Sequence, residues 1–261
     1  MARISVITGG AGGIGLACAR RLARAGDVVV LADLDAGRGE ASARALREEG
    51  AEARFLPLDV SDEAAVAAFC ARVEAEAGPV DVLVNSAGLL QNAQTQRRMD
   101  LAQHERLWRV NYDGTYLCSR AFGTRMCERQ RGVICNLASI NSFRVLPLPA
   151  YTPGKAAIKS LTELLCAEFG AAGVRVNAVA PGFTLTENLA RRIEAGQRDP
   201  EGMKRYTALD ALITPEDVAE AVHFLCSEAA RMITGVTLPV DAGWLAALSY
   251  KTYPAEIDSE D

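Results

Sequence analysis

Two histidines in 261 residues leave little material for a metal centre, and the seven cysteines (18, 70, 118, 127, 135, 166 and 226) include no C-x-x-C spacing. Neither a zinc cluster nor a disulfide frame is indicated, so no metal is expected and the thiols read as small buried hydrophobes. Positive charge is not in excess. Lys and Arg number 28 against 33 Asp and Glu, a net charge of −5 with an isoelectric point near 5.3, and the cations are scattered. That balance argues against nucleic acid or an anionic membrane as the main partner. No stretch approaches the ~18 apolar residues of a membrane helix, and Met1-Ala-Arg enters an apolar run at once, with no signal core. A soluble, cytoplasmic protein is expected. Internal repeats, low-complexity tracts and linkers are missing too.

What is present is apolar material in short runs. Hydrophobic residues make up 49% of the chain, enough to bury a large core, and the length suits one α/β domain. Residues 4–7, 28–32, 53–56, 80–84, 133–137, 174–179 and 236–240 read as strands, with helical patterns between them. Continuous rather than alternating apolar runs mean strands covered on both faces. The expected fold is therefore α/β: a doubly wound parallel sheet of the Rossmann type, in a single domain over residues 1–261. Asp35 and Ser61 are the expected N-caps, and Gly50, Gly78 and Gly173 stand where helices should stop.

Two motifs carry chemistry. Thr8-Gly-Gly-Ala-Gly-Gly-Ile-Gly15 follows the first strand and opens a helix, the order of a dinucleotide-binding turn. Its glycines let the backbone approach a pyrophosphate, whose charge then meets the free N–H groups and positive end of the helix. Farther on, Tyr151 and Lys155 are four residues apart, which on a helix stacks a phenol beside an ammonium. Pulling a phenol from its reference pKa of about 10 to about 7 takes roughly 4 kcal/mol, which an adjacent cation in a desolvated cleft supplies. A proton-transfer role for Tyr151 is expected.

With T-G-x-x-x-G-x-G at Thr8 to Gly15 and Tyr-x-x-x-Lys at Tyr151 to Lys155, the chain resembles the short-chain dehydrogenase/reductase family, from Ile4 to about Trp244. Asp59-Val60 resembles the family's adenine-contacting pair and Asn85-Ser-Ala-Gly88 its N-N-A-G turn. Asn111 is similar to the helix asparagine, Ser139 to the serine after the fifth strand, and Pro181-Gly182-Phe-Thr-Leu-Thr186 to the nicotinamide-side segment. The resemblance implies an oxidoreductase interconverting a secondary alcohol and a ketone by hydride transfer. Tyr151 would be the base, Lys155 would hold it acidic, Ser139 would bond the substrate oxygen, and Asn111 would anchor a water leading to solvent. The implied cofactor contacts are Gly9, Gly13, Ile14, Gly15, Asp33, Asp59, Val60, Asn85, Ala87, Gly88, Tyr151, Lys155, Pro181, Gly182, Thr184 and Thr186. The segment at about 184–213 would be a small lobe over the substrate, and the tail at about 245–261 extends beyond the family's usual stop.

Cofactor choice rests on Asp33, which ends the second strand. A carboxylate there accepts from a ribose 2′-hydroxyl and repels a 2′-phosphate, so NAD is expected; Leu34 follows it, and neither Ala11 nor Gly12 is a cation. An NADPH-dependent 3-oxoacyl-type reductase and a non-catalytic NAD-binding regulator are the alternatives. Ser139 lies twelve positions before Tyr151, one fewer than the family's commonest spacing, with Ser142 as a competitor. Pro153 requires the helix to begin at about Tyr151 or Thr152. The expected substrate contacts are Asn141, Phe143, Arg144, Leu90 and Gln91, with Phe183, Leu189 and Tyr206 around the lobe, a mixed set that names no single compound. Apolar residues around the helices at 102–131 and 151–173, Trp108, Tyr116 and Phe169 among them, predict a homo-oligomer, and the resemblance implies a tetramer.

Overall fold

The computed structural model describes residues 2–253. Seven strands, β1 (Ile4–Thr8), β2 (Val28–Asp33), β3 (Ala53–Pro57), β4 (Val82–Asn85), β5 (Gly132–Leu137), β6 (Val174–Pro181) and β7 (Thr237–Val240), form one sheet in the order β3-β2-β1-β4-β5-β6-β7. Every pairing is parallel. Each strand therefore needs a crossover, and helices supply them on both faces. Helices α1 (Gly13–Arg24), α2 (Ala36–Glu48) and α9 (Pro215–Cys226) cover one face; α3 (Glu63–Glu76), α5 (Gly114–Glu128) and α6 (Tyr151–Phe169) cover the other, with α4 (Leu101–Trp108) packed against α6. The expected doubly wound parallel fold is the observed one. Two large cores result, one centred on Leu22, Leu31, Leu46 and Val222, the other on Val30, Leu83, Phe122 and Ile134, with a small third cluster of Ala138, Ile158, Ala178 and Ala180.

Asp35 caps α2, its side chain accepting from the Arg38 N–H, and Gly50 and Gly78 stand past their helix ends at φ +89° and +108°. The cap of α3 is Asp62, not Ser61. Asp62 accepts from the Ala65 N–H, while Ser61 donates its hydroxyl to Asp59 at 2.7 Å. The expected single helix over residues 102–131 is interrupted between α4 and α5 by one π-helical turn, Arg109–Asp113, which carries Asn111. From Thr184 to Ile213 the chain leaves the sheet as a lobe with two short helices, α7 (Glu187–Glu194) and α8 (Pro200–Arg205). Its ends meet: Thr184 and Ile213 form a parallel bridge, and the Leu185 N–H donates to the Ile213 carbonyl at 2.8 Å. The last described helix, α10 (Trp244–Lys251), packs Trp244 edge-on against Phe183 and sends the Lys251 ammonium to the carbonyls of Arg205 and Thr207. Of the expected tail, the acidic end 256–261 lies outside the described residues.

The helix faces proposed as a subunit contact are better buried within the chain than expected. Leu107, Phe122, Ile158, Leu161, Leu165 and Phe169 belong to its own interior. Phe169 fits where Gly123 has no side chain, its ring lying 2.5 Å from where a Cβ would stand. Tyr116 and Leu164 stay exposed, and Trp108 is half-buried.

Candidate active site

In an open α/β sheet the crevice forms where strand order reverses, at the carboxyl ends of the strands. Here the reversal falls between β1 and β4, and a cavity of about 880 Å³ opens there. Its walls are the segments that follow four strand ends: Gly9 to Gly15 after β1, Ser86 to Leu90 after β4, Ala138 and Ser139 after β5, and Gly182 with Thr186 after β6. Asp33 and Asp59 line the cavity from β2 and the β3–α3 loop, and Tyr151 and Lys155 from α6.

Gly9 and Gly15 of the loop have no room for side chains. A Cβ on Gly15 would stand 2.2 Å from the Gly9 carbonyl oxygen, and Gly9 itself turns at φ +67° with the Ala87 backbone 2.8 Å from where its Cβ would be. Thr8 stitches the loop to β4, its hydroxyl accepting from the N–H groups of Ser86 and Ala87 at 3.1 Å. Asp33 holds the other flank: one carboxylate oxygen accepts from the Ala11 N–H at 3.1 Å and the other from the Asp35 N–H at 3.1 Å. A glycine-rich cradle, beside a helix start and a fixed carboxylate, fits a dinucleotide.

One residue here escaped the sequence reading. Arg38, in the first turn of α2, folds back over the loop, its Nη2 lying 2.3 Å from where a Gly12 Cβ would stand. A cation is therefore present at the end of the cavity that holds Asp33. It pairs with Glu187 of the lobe at 2.7 Å. Both partners are solvent-exposed, so the pair adds little stability and parts easily. The available signal was positional, since the first turn after β2 must pass the loop that follows β1.

At the opposite end stand Ser139, Tyr151 and Lys155. The Ser139 hydroxyl accepts from the Asn141 backbone N–H at 3.2 Å and from Asn141 Nδ2 at 3.0 Å, which leaves its own proton to donate. Ser142, the competitor, spends its hydroxyl on the Lys155 carbonyl at 2.6 Å and does not line the cavity. Helix α6 begins at Tyr151, as Pro153 requires. The Lys155 ammonium donates to the Leu137 carbonyl at 2.5 Å and lies 5.5 Å from the centre of the Tyr151 ring.

Tyr151 does not titrate in the expected direction. The residue keeps some exposure, but its hydroxyl end lies in the interior, and desolvation pushes the phenol up to about 12, a hydrogen bond with Ser139 pulling the other way. Lys155 fails to offset this because burial pushes its own ammonium down to about 8 and its proton is already shared with a carbonyl. In this arrangement the phenol is a neutral acid.

Several of the expected site residues lie off the cavity wall. Asn85 is buried in the sheet, donating to Ser119 and to Asn136 at 2.9 Å. Thr184 turns its hydroxyl to the Gly182 carbonyl. Asn111 uses both ends of its amide on one residue, accepting from the Leu89 N–H at 2.7 Å and donating to the Leu89 carbonyl at 3.0 Å. Asn141 sits behind Ser139 and accepts from the Thr152 hydroxyl at 2.8 Å. Phe143 packs beside Ala138 and Ile158, and the Arg144 guanidinium turns back to the neighbouring Phe143 carbonyl. Of the other candidates, Leu90 does line the cavity, while Gln91 is buried and Phe183, Leu189 and Tyr206 lie off the wall; from the lobe it is Asn188 and Arg191 of α7 that line it.

Residues 9–245 match a family model described as enoyl-(acyl carrier protein) reductase. The chain is 38% identical over 247 residues to 2-(S)-hydroxypropyl-CoM dehydrogenase 3 of Xanthobacter autotrophicus, covering 93% of this chain and 96% of that one. The chain belongs to the short-chain dehydrogenase/reductase family. Another relative, galactitol 2-dehydrogenase of Rhizobium johnstonii, is 38% identical over 243 residues, covering 92% of this chain and 94% of that one. Among solved structures, one from Brucella melitensis described as a ribose-5-phosphate isomerase superposes with a TM-score of 0.92 at 43% identity, covering 97% and 96% of the two chains. Family members bind a nicotinamide cofactor, and a polyketide ketoreductase holding NADPH, 28% identical, superposes over 93% of this chain and 97% of its own with a TM-score of 0.88. Among the described residues no helix is long and apolar enough to cross a membrane, and no cluster of His, Cys, Asp or Glu suits a metal.

Proposed function

We propose that the protein is an NAD-dependent oxidoreductase that interconverts a secondary alcohol and a ketone, with Tyr151 transferring the proton. The observation that carries this reading is one cavity lined at one end by a glycine-rich cradle with Asp33, and at the other by Ser139, Tyr151 and Lys155. The cofactor, when bound, supplies the hydride acceptor or donor. Ser139, with both acceptor positions met by Asn141, donates its proton to the substrate oxygen and so stabilises charge that develops there. As a neutral phenol, Tyr151 is ready to protonate a reduced ketone; to oxidise an alcohol it must first lose its proton, and the hydrogen bond with Ser139 is the contact that favours this. Ala87, Gly88, Pro181, Gly182 and Thr186 form the walls between the two ends. The expected Asn141, Phe143 and Arg144 do not line this cavity, whereas Leu90, Asn188 and Arg191 do. Screening the purified protein with NAD against secondary alcohols, polyols included, tests the reading through formation of NADH.

The isomerase-like neighbour motivates a second reading. An aldose–ketose isomerisation moves a proton between adjacent carbons with no net hydride exchange, so the glycine cradle and Asp33 would have no role. Turnover of a pentose phosphate without any dinucleotide would favour it over ours.

Asp33 makes the cofactor choice testable. NAD is expected to bind at least about tenfold more tightly than NADP, a difference on the order of 1.4 kcal/mol. Because Arg38 already lies beside the loop, Asp33→Ala alone should bring the two cofactors close to parity, and adding Leu34→Arg should favour NADP. Titration of both nucleotides checks this; equal binding to the unaltered protein would overturn it.

Assembly follows from the exposed side of α5 and α6, where Tyr116 and Leu164 remain uncovered. A homotetramer is expected, so light scattering should give about four times the 27.8 kDa of one chain. A mass near that of one chain would rule it out.

A further inference from the structure

Helix α6 is capped from outside its own segment. Ala150, at its N-cap, has no side-chain acceptor, and Pro153 brings no N–H. The Thr152 N–H reaches the Leu148 carbonyl at 2.9 Å and the Gly154 N–H the Ala150 carbonyl at 3.2 Å. The two that remain, on Ala150 and on Tyr151 itself, both donate to Oε1 of Gln91, at 3.1 and 2.9 Å. Gln91 is only 4% exposed, and its Nε2 lies 3.1 Å from the Met99 sulfur. Two residues earlier, Leu89 is gripped through both backbone groups by Asn111 of the π-helical turn. A continuous line of contacts thus runs from that turn, through Leu89 and Gln91, to the backbone of Tyr151.

We propose that Gln91 is a positioning residue for the reaction: by holding the N–H of Tyr151 and of the residue before it, it fixes where the phenol stands in the cavity. The proposal rests on reading Tyr151 as the proton-transfer residue. Tyr151 is the first residue of its helix, the place where helices fray. Proton and hydride transfer require reacting atoms to be held at about 3–3.5 Å, and a displacement of about 1 Å costs as much as 10²-fold in rate. A cap on that one residue therefore acts on turnover rather than on the cofactor, which is held by the glycine loop and Asp33.

Three variants test it, each followed by steady-state kinetics with a turned-over alcohol, NADH titration, and hydrogen exchange of the amides at 150–152. Gln91→Leu keeps the bulk and removes the acceptor; kcat should fall by about tenfold or more while the alcohol KM and NADH affinity stay within about twofold, with faster exchange at Ala150 and Tyr151. Gln91→Glu restores an acceptor oxygen at the same reach and should recover kcat to within about threefold. If Gln91→Leu does not fold, Gln91→Asn, one methylene too short to reach, should give the same split. Wild-type kcat in the variants lacking the acceptor would overturn the proposal. So would a loss of kcat matched by an equal loss of NADH binding, or a Gln91→Glu no better than Gln91→Leu. Should the unaltered protein turn over no alcohol at all, the functional reading fails instead, and the exchange measurement decides the cap: unchanged protection at Ala150 and Tyr151 would refute it.

Discussion

Tyr151→Phe is expected to lower turnover of a secondary alcohol by roughly 10²-fold or more while dinucleotide affinity changes by less than about twofold. The substitution keeps the ring that packs at the cavity edge and removes only the oxygen that carries the proton. Nothing in the glycine loop or around Asp33 touches that oxygen, so binding and chemistry should separate cleanly. The pH profile gives an independent reading. Burial pushes the phenol up to about 12, and alcohol oxidation needs the deprotonated form, so the rate should climb from neutral towards alkaline pH. Ketone reduction needs the neutral phenol, which is already the dominant form at pH 7, and should lack that climb. A Tyr151→Phe protein with near-native turnover on an identified substrate would refute the assignment and favour a different proton carrier.

The second large effect should come from the opposite end of the cavity. A Cβ on Gly15 would meet the Gly9 carbonyl oxygen at 2.2 Å and its carbon at 2.8 Å, and Gly9 has no retreat because the Ala87 backbone already closes its other side. Both obstacles are main chain, so the clash relaxes only by shifting the loop. Overpacking of this kind costs about 1–3 kcal/mol, and a loop displaced by even part of an ångström loses its fit to the pyrophosphate. Gly15→Ala should weaken NADH binding by about 10- to 10²-fold, read by fluorescence titration. Gly170→Ala is the matched control, since nothing lies within 4 Å of its Cβ position; it should bind as the parent does. Parent-like binding by Gly15→Ala would mean that the loop is not the phosphate cradle.

These expectations show how the sequence and the structure divide the information. Strands were legible because a buried parallel strand must be continuously apolar, and only their ends moved: residues 80–84 begin as a strand at Val82, and β6 runs on to Pro181. The glycine loop, Tyr151, Lys155 and Ser139 were legible because their spacings are local. What stayed hidden depends on distant pairs. The π-helical turn at Arg109–Asp113 contains no proline or glycine, and its Asn111 bonds a residue more than twenty positions away. Arg38 reads as an ordinary helix residue until β2 and β1 are laid side by side. The phenol's direction of titration was misjudged because adjacency of a cation was visible in the sequence, whereas the desolvation of both groups was not.

The lobe that leaves the sheet at Thr184 and returns at Ile213 has a consequence for how such a protein diversifies. Its departure and return points are already joined backbone to backbone, and Lys251 clasps its far side from the end of the chain. Closing a loop whose ends are tied costs little more when the loop grows, about 0.6 kcal/mol for each doubling of length. Beyond α7, whose Thr186 cap and Glu187 face the glycine loop, the segment is thus a replaceable cassette: residues there can be exchanged or lengthened without disturbing strand register, the glycine loop or the proton-transfer residues. Substrate range and redox chemistry are separately inheritable in this architecture.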